Sequence, residues 1–115
     1  MKIVINSDFG GFGLSDEALE LYLTYKGVEF EKTINEYGRT DYWEKGHVKD
    51  GDYYLWANNI ERNDPNLVRV VEELKERTNS PYSTLKVIEI PDDIEWEIDE
   101  YDGMEHVAEK HRTWR

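Results

Sequence analysis

The chain contains no cysteine. Disulfides, thiolate zinc sites and a cysteine nucleophile are therefore excluded, and a reducing, cytoplasmic setting is expected (the host cytoplasm if the gene is a phage's). Proline occurs only 3 times, and no apolar run approaches the roughly 20 residues that a membrane-spanning helix needs. The opening residues turn polar too early for a signal peptide. Positive charge is scarce, with 14 Lys and Arg against 26 Asp and Glu, a net charge of −12. Polynucleotides and anionic membranes are repelled at long range and are excluded as main partners. Screening still allows a local arginine pocket to hold a small anion, because the Debye length at physiological salt is about 8 Å.

What remains is enough for one core. The 115 residues are 38% hydrophobic, and the apolar positions fall in periodic blocks with no repeat or linker between them. One α+β domain over residues 1–115 is expected, a small antiparallel or mixed sheet packed against two to three helices. Residues 2–6 read as a strand feeding a glycine-rich loop, 7–14. Ser15 is a helix N-cap followed by two acids, and Gly27 a terminator. Residues 28–32 suggest a second strand, 33–52 a long irregular segment, and 53–56 a further strand. Asp64-Pro65 starts a second helix whose face is Leu67, Val70, Val71 and Leu74. Residues 85–90 form a strand, Pro91-Asp92-Asp93 a turn, and 94–98 an alternating strand, so the two are expected to pair as a hairpin. Asp102 and Glu105 resemble a capping box, which predicts a third helix over 102–111.

Signs of catalysis are few. The loop at 10–13 matches only two glycines of a dinucleotide fingerprint, with Asp16 at the third position, and lacks the Lys of a P-loop. It reads as a tight turn that lets Phe9 and Phe12 pack, although its backbone and rings could also line a pocket. The acids from Asp92 to Glu105 lack metal-ligand spacing, and Glu95 and Glu97 fit a solvated strand face opposite Ile94, Trp96 and Ile98. His47, His106 and His111 have no partner in a catalytic motif. No catalytic residue, metal site or cofactor is expected. The last ten residues concentrate Lys110, Arg112 and Arg115 with His106, His111 and Trp114. Such cations either complement a helix dipole or form a phosphate clamp beside a stacking ring. Arg62 and Tyr82 are further candidates for contact with a ligand.

Three stretches resemble a group of small phage and prophage proteins: Gly10-Gly-Phe-Gly-Leu-Ser15, the run from Arg62 to Leu74, and the run from Leu85 through Asp93 to Trp114. Their placement is with the first-described family of Thoeris anti-defence proteins. The likeness covers most of the chain outside 29–59. It implies a sponge that binds cyclic ADP-ribose-type signals without cleaving them and can also hold cyclic oligonucleotides. It further implies a homo-oligomer with ligand pockets at subunit interfaces. Tyr82, Arg112 and Arg115 carry over as ligand contacts, with Arg62 and Asp92 beside them. The competing expectation is an acidic protein–protein inhibitor or DNA mimic directed at a host defence protein.

Overall fold

Both helices begin on local signals, and α1 also ends on one. The computed structural model describes residues 1–110. After strand β1 (Lys2–Asn6), helix α1 (Asp16–Lys26) starts where the Ser15 hydroxyl accepts from Ala18 N at 3.1 Å. It stops at Gly27, whose φ of 76° is left-handed and open to glycine without strain. Strands β2 (Phe30–Ile34) and β3 (Thr40–Glu44) form an antiparallel ribbon. Helix α2 (Pro65–Leu74) is capped by Asp64, whose carboxylate accepts from Asn66 N at 2.8 Å. Strands β4 (Leu85–Glu89), β5 (Trp96–Tyr101) and β6 (Met104–Glu109) follow. The described residues thus hold two α-helices and three two-stranded antiparallel sheets, β1–β4, β2–β3 and β5–β6. The α+β expectation stands. No helix among the described residues is long and apolar enough to cross a membrane.

The core lies between β1 and the two helices. Val4, Leu67 and Val70 are fully buried, and Leu19, Tyr22 and Leu23 of α1 close over them, while Ile3 is buried on the other face of β1. That burial, at about 25 cal/mol per Å² of apolar surface, is what holds two short helices in place.

Four expectations are corrected. Residues 85–90 do not pair with the following strand. β4 pairs instead with β1, from Lys2↔Glu89 to Asn6↔Leu85. The third helix expected over 102–111 does not form across the described residues 102–110, because Asp102 (φ 53°) and Gly103 (φ 88°) make a two-residue turn and β6 runs back along β5. Two successive positive φ values fit the tight hairpin turn that Asp-Gly favours. A Cβ on Gly103 would also lie 2.3 Å from the Phe9 carbonyl oxygen, so no larger residue fits there. The irregular segment 33–52 contains β3, joined to β2 by a turn in which Asn35 Oδ1 accepts from Tyr37 N and Arg39 N. Residues 53–56 are not a strand, and form one isolated β-bridge to the β2–β3 ribbon, from Tyr54 to Trp43.

One ion pair ties the β5–β6 ribbon to the body. Glu105 is buried and takes two hydrogen bonds from the Arg62 guanidinium, one of them at 2.9 Å, while Asn6 N donates to it at 2.9 Å. Glu105→Ala is expected to cost about 3–5 kcal/mol in urea denaturation, since it strands a guanidinium and a backbone N–H together. The double variant Arg62→Met/Glu105→Gln keeps an acceptor for Asn6 N and removes the charge. It is expected to lose less than Glu105→Ala alone, and an equal or larger loss would show that packing rather than the stranded charge sets the cost.

Candidate functional site

Of the residues singled out in the sequence, Arg62, Asp92 and Tyr82 lie among the described residues. Arg62 is committed inside the fold, with its guanidinium forked onto Glu105 and lying 3.6 Å above the Phe12 ring. Two of its five N–H groups are thereby given to Glu105. Asp92 is exposed and pairs with the N-terminal ammonium at the Lys2 end of β1. Tyr82 stands at the other end, where a Cβ on Gly10 would come within 2.0 Å of its carbonyl oxygen, and its side chain is open to water. The four residue steps of β1 separate the two by about 13 Å. Arg112 and Arg115 lie outside the described residues, as do His111 and Trp114. The glycine-rich loop packs Phe12 but not Phe9, which is 59% exposed. Among the described residues no cluster of His, Asp and Glu could hold a metal ion. Glu95 and Glu97 are exposed, with Ile94, Trp96 and Ile98 half-buried on the other face, as the alternation predicts.

A cleft of about 740 Å³ lies elsewhere, between α1, the 54–56 segment and the start of α2. Its floor is apolar, from Leu19, Leu23, Val28, Leu55 and Ile60. Its aromatic wall is Tyr54 and Trp56, with ring centroids 4.4 Å apart at 54°. Tyr54 is fixed in turn by an edge contact with Trp43 at 5.0 Å and by donating to Asp41 at 2.9 Å. Trp56 is therefore supported by a fixed neighbour while 56% of its surface remains open. Asn59, Asn63 and Asn66 bring amides to the rim, and Lys26, Glu61 and Asp64 bring charge.

The rim is organised by Asp64. Its carboxylate caps α2, accepts from Tyr22 Oη at 2.7 Å and pairs with Lys26 Nζ at 2.9 Å. Burial alone would raise its pKa, but the bonds from Lys26, Tyr22 and the Asn66 amide outweigh this and hold it below the ordinary value. Desolvation, then the hydrogen bond to Asp64, pushes Tyr22 up to about 12. Desolvation and Asp41 push Tyr54 up to about 12. The hydrogen bond to Asp64 also raises Lys26. All four groups move away from neutrality, the reverse of what general acid–base chemistry requires.

Sequence reasoning missed this cleft because it read 53–56 as a strand, which would turn alternate side chains to opposite faces. A signal was present. Trp56 stands in a stretch of asparagines with no apolar period, a poor context for a core tryptophan.

Because the Asp64 carboxyl is held below its ordinary value, the stability it contributes is complete above an unfolded-state pKa of about 4 and disappears as pH falls through the depressed one. Asp64→Asn keeps a capping oxygen and loses the charge. It is expected to cost about 1–2 kcal/mol at neutral pH and almost nothing near pH 2, read from denaturation midpoints across the pH series. A difference independent of pH would show that the ion pair contributes nothing. Compared with protein-family models, curated proteins and solved structures, the chain matches none.

Proposed function

We propose that the protein captures a small nucleotide-type ligand in the Trp56 cleft and holds it intact, as a sponge for cyclic ADP-ribose-type signals would. The observation that carries this reading is the open tryptophan face set over an apolar floor and beside amide groups. A planar base gains about 1–3 kcal/mol by stacking on such a face. An asparagine amide offers one donor and one acceptor, the pair that an adenine edge needs. Glu61 and Asp64 suit ribose hydroxyls. Phosphates fit the cleft poorly, since Lys26 is its one cation among the described residues and already serves Asp64. They belong at the solvent mouth.

Retention without turnover is the reading these groups support, because Asp64, Tyr22, Tyr54 and Lys26 are all held away from the proton affinities that general acid–base catalysis uses at neutral pH. Tight capture needs about −12 kcal/mol at nanomolar affinity. An open cleft in one copy supplies little enclosure toward that figure, so the reading includes closure by a second copy in a homo-oligomer.

The protein is to be incubated with cyclic ADP-ribose isomers, filtered, heat-denatured and assayed for released nucleotide. Intact ligand should be recovered in proportion to protein, and Trp56→Ala should weaken retention by about 5–150-fold, the stacking range above. Recovery of a cleaved product would make the protein an enzyme. No recovery at all would end the nucleotide reading, and undiminished retention by Trp56→Ala would remove the cleft from it.

A further inference from the structure

A second surface lies apart from the cleft, where three loops interlock at the glycine-rich end of the molecule. Gly10 sits against the Tyr82 backbone, and Gly103 sits against the backbone of Phe9 and Gly11. The buried Asn6 side chain locks the same loops. Its amide nitrogen donates to the Asp8 and Gly103 carbonyls at 2.8 Å, and its oxygen accepts from Asp8 N at 3.2 Å and Thr84 N at 2.9 Å. From this fixed base Phe9, Tyr82 and Tyr101 emerge 59%, 62% and 76% exposed. Rings held rigidly yet left in water are the usual anchors of a protein interface.

The charge around them has one sign. Residues 7–13, 80–84 and 99–104 contain Asp8, Asp99, Glu100 and Asp102 and no Lys or Arg. The Asp8 carboxylate is already oriented, accepting from Phe9 N at 2.7 Å and Thr84 Oγ1 at 3.2 Å, and two oxygens leave it further lone pairs. A group that fits both features is planar, cationic and rich in donors. Arginine meets all three conditions: its guanidinium lies flat on an aromatic ring and forks onto a carboxylate. The chain uses this arrangement twice within itself. Arg62 lies over Phe12 and pairs with Glu105, and Arg69 lies 3.9 Å from the Tyr25 ring centre while pairing with Glu73 at 2.8 Å.

We infer that the Phe9–Tyr82–Tyr101 surface docks an arginine-bearing segment of a basic partner protein, with the rings stacking guanidinium planes and Asp8 and Asp102 taking their N–H groups. The net charge of −12 brings such a partner in at long range, and the rings make the selection at contact. This surface does not depend on the nucleotide cleft, which shares no side chain with it.

The test measures binding of a hepta-arginine and a hepta-lysine peptide to the full chain at physiological ionic strength. Wild type should prefer arginine by about fivefold or more, since lysine has no planar fork. Combined Phe9→Ser, Tyr82→Ser and Tyr101→Ser should abolish the preference. Tyr37→Ser, which removes an exposed ring elsewhere, and Trp56→Ala should leave it intact. Amide shifts in the wild-type protein, which need no variant to fold, should centre on Phe9, Gly10, Tyr82, Tyr101 and Gly103. Equal affinity for the two peptides would reduce the effect to bulk acidity and overturn the proposal. So would shifts spread along the acidic run 92–100, or a preference that survives the triple variant. Self-association of the free chain that Tyr82→Ser abolishes would assign the surface to a second copy. Displacement of the peptide by a nucleotide would assign it to a small ligand.

Discussion

A buried carboxylate must be satisfied from several directions at once, and the arrangement of this protein follows from how Glu105 meets that demand. Arg62 reaches it from the segment ahead of α2, and Asn6 N reaches it from the end of β1. Three parts of the chain far apart in sequence are thereby fixed to one point. Next to it, the Asn6 side chain uses all four of its hydrogen-bonding positions on the glycine loop, the β6 turn and the start of β4. A polar cluster satisfied this fully costs little to bury and is sharply selective for one geometry. Without it the β5–β6 ribbon would be an isolated hairpin, which is marginal in water.

Where structure depends on neighbours in sequence, the chain can be read directly. Ser15 and Gly27 bound α1, and Asp64-Pro65 opens α2, because caps act within a few residues. Where it depends on distant partners, reading fails for identifiable reasons. Asp102 and Glu105 fit both a capping box and the start of a returning strand. What decides between them is Arg62, 43 residues away. The Asp-Gly pair was the better local signal, since few other residues accept two positive φ values in succession. β4 pairs with β1 across the whole chain, and an apolar run buried on both faces carries no mark of its partner. The β2–β3 ribbon shows no clear period because only one of its ten residues, Tyr42, is buried.

The candidate sites divide along the same line. That Arg62 is an arginine is plain from sequence, but that Glu105 and Phe12 occupy its guanidinium is not. Tyr82 could be singled out as a ring before a strand, and it is exposed, yet its significance comes from Gly10 and Gly103 holding three loops together beneath it. The cleft was hidden altogether. Its wall comes from 54–56, its floor from α1 together with Val28, Leu55 and Ile60, and its rim from the approach to α2, and no motif spans those segments.

The acidity of the chain gives its two open aromatic surfaces different chemistry. In the Trp56 cleft Lys26, the one cation among the described lining residues, pairs with Asp64, so the walls offer stacking and amide contacts to the proposed base and little to its phosphates. Long-range repulsion of that ligand is modest, because screening confines it to within about 8 Å of the surface. At the glycine loops the sign is reversed. The carboxylates of Asp8 and Asp102 stand on the same interlocked loops as the exposed rings, and the proposed guanidinium is stabilised by both at once. Desolvating two like-charged carboxylates is unfavourable until a cation arrives. The empty surface therefore favours a cationic occupant over a neutral one, whereas the cleft favours a flat neutral ring over any ion.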